Sequence, residues 1–275
     1  QCFKKAHVVV MRSKVMKKNN LYYSEWFTTG GRAAAIAPLF DDLKTFLAAF
    51  IPAALAAQER RLAARPARPL PGPFAVDDQK RLGLALMAAI GFDFERGRLD
   101  ISHHPFCNGI PDDVRMTTRY KEDAPLDALL SSIHETGHGL YEQGFPAQFL
   151  GTGLGIHAGM AMHESQSRLW ENQVARGRAF WRCFEPRWRE LFPAQTAGFS
   201  SDELYLAVNA VEPTLIRVDS DEVTYNLHII LRFEIEKRLF SGELAVKDLP
   251  AAWRQASKEL VGLEPSNDRE GVLQD

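Results

Sequence analysis

Between Pro125 and Gln143, Leu126, Leu129, Leu130, Ile133, Leu140 and Tyr141 recur at steps of three, four and seven residues. This is the period of one helix face, and such a face must be buried against another element. Asp123 is the expected cap, and Gly144-Phe145-Pro146 closes the segment. Helical patterns continue over about 157–176, 178–191, 202–211, 220–240 and 248–262. Upstream, Arg32–Arg65 is rich in alanine and leucine and reads as a helix interrupted near Pro52. Ala64–Phe74 is a proline-rich connector, and Val76–Gly91 is a helix with Asp77 or Asp78 near its start and Gly91 at its end. Only Leu99–Tyr120 departs from the helical period. There Val114, Met116 and Tyr120 alternate with Arg115, Thr117 and Arg119, as in a half-buried strand. The expected fold is mainly α, with a small β element near residues 99–120.

Composition narrows the function without naming it. A chain of 275 residues with 45% hydrophobic and 25% charged content can bury a sizeable core. A formal net charge of -2 gives no reason to expect nucleic acid as a partner. Cys2, Cys107 and Cys183 are too few and too scattered for a disulfide framework, which points to a reducing compartment. The longest apolar run, Phe46–Ala57, is too short to span a bilayer and contains Pro52, so no membrane partner is expected. The basic N-terminal stretch lacks the pattern of a signal peptide, and the expected location is cytoplasmic. Residues 1–28 form a segment unlike the rest, and residues 29–275 are read as the functional region.

The helix at Pro125–Gln143 raises a chemical question. It holds His134, Glu135 and His138, and it spends interior positions on Gly137 and Gly139. Each interior glycine costs about 1 kcal/mol against alanine. Histidines four apart project from one helix face and can meet a single ion. Glu135 lies one step around, placed to take a proton from an activated water without ligating. This is the H-E-x-x-H arrangement of zinc hydrolases. Such sites need a third protein ligand and keep one position open. Glu142 lies two turns beyond His134 and does not readily converge with the pair. In the following helix Glu164, Ser167 and Glu171 share a face. Glu164 as ligand, with Glu171 accepting a hydrogen bond from a ligand imidazole, explains that face; His163 as ligand is the competing assignment.

Six motifs in order strengthen the reading: HPF at His104–Phe106, DVRMT at Asp113–Thr117, HETGH at His134–His138, HESQ at His163–Gln166, IRVDSD at Ile216–Asp221 and GVLQD at Gly271–Asp275. With them the chain, from about Gly31 to Asp275, resembles the M32 metallocarboxypeptidases, the family of carboxypeptidase Taq. The resemblance implies a helical zinc-peptidase fold and a metal held by His134, His138 and Glu164, with Glu135 as general base and acid. It also implies zinc as the default ion, cobalt as a possible replacement, peptide substrates with a free C-terminus, and a homodimer. Two departures accompany it. Ser220 stands where the family commonly has alanine, and the final motif stops at Asp275 where the family continues to a histidine and a tryptophan. An incomplete chain is therefore expected, and a metal-binding but catalytically impaired fragment, acting as a binding or dimerisation module, is the alternative function.

A carboxypeptidase must recognise a terminal carboxylate, which calls for an arginine. Arg217 precedes a helix expected to begin near Ser220, with Asp219 as cap. Asp221, Tyr225, His228 and Arg232 follow at helical steps on one polar face, where Tyr225 and His228 can donate to an oxyanion. Arg115 is a further candidate for substrate binding, or a brace for its strand through Asp113; His104 is read as a structural residue.

Overall fold

The structure, a computed structural model, describes residues 33–67 and 70–274. The N-terminal segment 1–28, Cys2 and the terminal Asp275 of the last motif lie outside the described residues. Two compact units are present, one built from residues 70–208 and the other from 33–67 with 209–274.

The first unit contains α2 (Val76–Ile90), the strands β1 (Gly97–Ile101), β2 (Phe106–Ile110) and β3 (Asp113–Thr118), and the helices α3 (Pro125–Gln143), α4 (Met160–Arg168), α5 (Arg178–Leu191) and α6 (Ser201–Val208). The second contains α1 (Ala33–Ala64), α7 (Tyr225–Phe240) and α8 (Leu249–Leu260). The mainly helical expectation with one small sheet is met. Among the described residues no helix is long and apolar enough to cross a membrane.

The expected helix α3 runs over the residues its period marked, with Pro125 at its first turn, where a missing N–H costs nothing. Its cap is Ala124 rather than Asp123, and no side-chain hydrogen bond caps it. Leu129 and Ile133 of α3 join Leu82, Leu86 and Ile90 of α2 and the aromatic side chains Trp181, Phe184 and Trp188 of α5 in one buried cluster. Removing such a helix face from water is the main stabilising term available to the unit.

The sheet has the order β1-β3-β2, with β1 parallel and β2 antiparallel to β3. Val114 and Met116 of β3 are fully buried while Arg115 faces out, as alternation requires. Thr118 keeps the period and Thr117 breaks it, both being buried. Their hydroxyls account for it: Thr117 Oγ1 donates to the His104 carbonyl, and Thr118 Oγ1 lies 3.2 Å from Ser131 Oγ of α3.

Several boundaries differ from the sequence-based expectation, among them the end of α6 at Val208 and three others. The helix α1 continues through both Pro38 and Pro52. A proline inside a helix costs about 3 kcal/mol, yet contacts flank this one. Leu43, Leu47 and Ile51 pack in the core of the second unit, and beyond the proline Gln58 exchanges two 2.9 Å hydrogen bonds with the backbone of Val211. Helix α4 begins at Met160, after Gly159 adopts φ 104, and passes into a π-helical segment, Leu169–Ala175. Helix α7 begins at Tyr225 rather than near Ser220. Asp221, not Asp219, holds the approach, because its carboxylate accepts from the backbone of Val223 and Thr224 and from the Thr224 hydroxyl.

Candidate metal centre

In the first unit α3 and α4 meet at Gly137. A Cβ added there would lie 2.6 Å from Gln166 O and Ser167 Cα, inside the α4 backbone. Gly139, on another face of α3, meets the Phe92 ring at 2.8 Å and Met116 Sδ at 3.0 Å in the same sense. The two glycines let α3 press against α4 on one side and the sheet layer on the other. Their helix-propensity cost is offset by that approach, which puts the polar ends of three side chains together.

Those side chains are His134, His138 and Glu164, whose ligand atoms all fall within 4.8 Å of one another. Glu164 Oε2 lies 3.1 Å from His138 Nε2 and 3.5 Å from His134 Nε2. On the far side of the first imidazole, His134 Nδ1 is 2.8 Å from Glu171 Oε2. An Nδ1–H donated to that carboxylate leaves Nε2 as the ring atom turned toward Glu164. Glu171 is itself held by Arg168 at 3.3 Å and Arg176 at 3.5 Å. Burial opposes charge on His134, but hydrogen bonds it donates to Glu164 and Glu171 outweigh it and raise this histidine to about 10. For Glu164, burial acts upward, and hydrogen bonds from His134 and His138 hold the carboxyl far below the usual range.

Two imidazoles and a carboxylate facing a common point are the donor set of a catalytic zinc site, and their negative field favours a cation. A second observation points the same way. Glu135 is buried, and its Oε2 has no hydrogen-bond partner among the described residues. An unsatisfied buried carboxylate oxygen costs on the order of 1–3 kcal/mol, so it persists where chemistry uses it. Burial pushes its carboxyl up, which suits a group that must both take and return a proton. The residues present therefore fit a divalent ion.

The profile of the carboxypeptidase Taq (M32) metallopeptidase family matches residues 15–275. The chain belongs to this family. Among its M32 relatives, thermostable carboxypeptidase 1 of Thermus thermophilus is 46% identical over 250 residues, covering 90% of this chain and 48% of the relative. Carboxypeptidase 1 of Bacillus subtilis is 43% identical over 203 residues, 74% of this chain and 40% of its own length. A crystal structure of an M32 carboxypeptidase from Deinococcus radiodurans superposes with a TM-score of 0.83 at 46% identity, covering 92% of this chain and 50% of that one. The chain spans about half the length of the curated relatives it matches.

The remaining sequence candidates fall as follows. Arg115 is exposed and bidentate to Asp113, with contacts of 2.9–3.1 Å, on the outer face of β3. His104 takes part through its carbonyl, which accepts from Ser102 and Thr117. Arg217, Tyr225 and His228 lie in the second unit. There Arg217 donates to the Tyr225 hydroxyl at 3.1 Å, and its backbone N–H donates to Gln274 Oε1 at 3.0 Å. His228 is 2% exposed, and its Nε2 has no hydrogen-bond partner among the described residues. Burial, aided by the charge of Arg232, pushes it down to about 4. His163, the competing ligand candidate, turns elsewhere: its Nε2 is 2.7 Å from Glu142 Oε1 and its Nδ1 2.6 Å from His138 Nδ1. Sequence reasoning missed the Glu142–His163 contact and the two arginines behind Glu171. The i, i+4 spacing of His138 and Glu142 was the signal available for the first.

Proposed function

We propose that the chain carries the centre of a metal-dependent carboxypeptidase, hydrolysing the C-terminal peptide bond of peptides with a free C-terminus. The observation that carries the reading is the convergence of His134, His138 and Glu164 beside the unpartnered Oε2 of Glu135. Family membership supports the reaction class. His134 and His138 through Nε2, and Glu164 through its carboxylate, are the residues that would hold the ion, zinc by default and cobalt as a replacement. When bound, a divalent ion in this donor set supplies Lewis acidity, polarising a carbonyl and making a water acidic. Glu135 Oε2 accepts the proton of the attacking water, and the same carboxyl returns it to the leaving amine nitrogen.

Arg217 anchors the terminal carboxylate of the substrate, a role its planar guanidinium suits. Tyr225 offers a hydroxyl for the developing oxyanion. His228 contributes as a neutral imidazole, in keeping with the direction of its shift. Arg115 acts first as a brace for its strand, given its bidentate pair with Asp113. A homodimer follows from the resemblance, and a cytoplasmic location agrees with a sequence of only three scattered cysteines.

The test couples ion content to polarity of cleavage. Purified protein should hold about one divalent ion per chain, and His134→Ala or Glu164→Ala should abolish it. Retention of full metal by Glu164→Ala with loss in His163→Ala would show the ligand set to be wrong. Peptides with amidated C-termini should resist turnover, and equal hydrolysis of amidated and free peptides would exclude the carboxylate anchor.

A further inference from the structure

The two histidines of the centre are supported differently. His134 meets a carboxylate directly, Glu171 at 2.8 Å. His138 meets none through its Nδ1. Its Nδ1 lies 2.6 Å from Nδ1 of His163, whose Nε2 lies 2.7 Å from Glu142 Oε1. All three side chains are buried to within about a tenth of full enclosure. The chain doubles back on itself, since Glu142 is one helical turn past His138 on α3, while His163 comes from α4. The rings of Tyr141 and His157 flank His163, with centroids 5.0 and 5.4 Å away.

Proton bookkeeping leaves one arrangement that fills both contacts of His163 while keeping both imidazoles neutral, the state in which His138 can ligate an ion. A carboxylate only accepts, so His163 carries its proton on Nε2 and donates it to Glu142. His163 Nδ1 is then a lone pair, and the only proton that can occupy the 2.6 Å contact belongs to His138 Nδ1. With Nδ1 protonated, His138 has its remaining lone pair on Nε2, the atom 3.1 Å from Glu164 Oε2. The opposite tautomer would set two lone pairs against each other inside the protein, a costly arrangement in a low-dielectric interior.

We propose that Glu142 and His163 form a positioning relay for His138, a carboxylate–imidazole–imidazole chain that fixes its tautomer and ring orientation and makes its Nε2 a better donor to a metal ion. The inference rests on the metal-centre reading above and deepens it. His163 is here neither a ligand nor a packing residue. It conducts the influence of a carboxylate that is paired with His163 and not with His138. The centre therefore has two supporting arms of different length, and the longer one can be weakened without touching a ligand.

The test measures zinc affinity by competition with a chromophoric chelator, together with the visible absorption of the cobalt-loaded protein. Loss of a hydrogen-bond partner behind a ligand histidine typically costs about 10–100-fold in metal affinity, and His163→Leu should fall in that range with an altered cobalt spectrum. His163→Asn should recover most of the affinity, because its Oδ1 sits where the lost Nδ1 accepted. Glu142→Gln, nearly isosteric, should bind several-fold more weakly than the parent. The melting of the metal-free variants reports folding, and should His163→Leu fail to fold, Glu142→Gln decides. Parent-like affinity and spectrum in both His163→Leu and Glu142→Gln overturns the relay while leaving the metal centre intact. Complete loss of ion from His163→Asn, with retention in Glu164→Ala, overturns it by making His163 a ligand. A parent chain that takes up no ion overturns both readings together.

Discussion

Gly137→Ala tests the link between helix packing and ion binding. The new Cβ would lie 2.6 Å from Gln166 O and Ser167 Cα and 2.9 Å from Ser167 N. Carbon contacts are comfortable at about 3.5 Å, so the shortfall is about 0.9 Å. All three obstructing atoms are backbone, so no rotamer change relieves the clash and α3 and α4 must separate. Overpacking of this kind costs about 1–3 kcal/mol, against about 1 kcal/mol gained in helix propensity. A net destabilisation of about 0–2 kcal/mol should appear in urea unfolding of the metal-free protein. The effect on the centre should be larger. Glu164 lies two residues before Gln166 on α4, whereas His134 and His138 are on α3. Metal–ligand distances tolerate changes of about 0.2 Å, and a helix separation several times larger pulls the carboxylate out of reach. Zinc affinity, read by chelator competition, should fall by at least about tenfold. Gly139→Ala is the control, because its obstacles are the Phe92 ring and the Met116 thioether, side chains able to move. It should lose stability while keeping more of its affinity. If Gly137→Ala keeps both parent stability and parent affinity, the close approach of the helices is not what assembles the ligands.

Two further outcomes follow from buried groups. Glu135→Gln removes a buried carboxylate whose Oε2 is unpartnered, so the variant should lose turnover, retain its ion, and melt at the same or a higher temperature than the parent. A lower melting temperature would mean that this carboxylate has a structural partner. For His228, burial and the charge of Arg232 push the folded state down to about 4 from an ordinary 6.5. Between those values the unfolded chain binds the extra proton, so stability is fully present above pH 6.5 and is lost as pH falls toward 4. The loss should be on the order of 1–3 kcal/mol, and His228→Gln should flatten that part of the pH–stability curve. An unchanged slope in the variant would refute the assignment.

Much of this protein was legible because helices impose their own geometry. The period of apolar residues marked α3 to within its observed ends, and the four-residue spacing of His134 and His138 put both imidazoles on one side of it. The seven-residue spacing of Glu164 and Glu171 likewise placed two carboxylates on one face, and the Glu171–His134 contact is present at 2.8 Å. The expected break at Pro52 failed because the penalty of a proline is local, while the contacts of Ile51 and Gln58 that offset it come from residues remote in the chain. The start of α7 was misplaced for a related reason. Asp219 and Asp221 are equally good caps by composition, and only the folded chain shows which carboxylate meets free N–H groups.

The sequence by itself determined which residues share a face, since 3.6 residues per turn fixes that within any single helix. It thereby supplied two imidazoles, a neighbouring carboxylate and a set of downstream candidates. It left open whether Glu164 or His163 turns toward the imidazole pair, why Gly137 interrupts the helix, and what Glu142 contacts. Those questions depend on the distance and rotation between α3 and α4, which no local period encodes. The tertiary structure decided them through one close contact at Gly137. Backbone against backbone at that point sets the two helices so that Glu164 faces the Nε2 atoms, while His163 is directed behind His138 to Glu142.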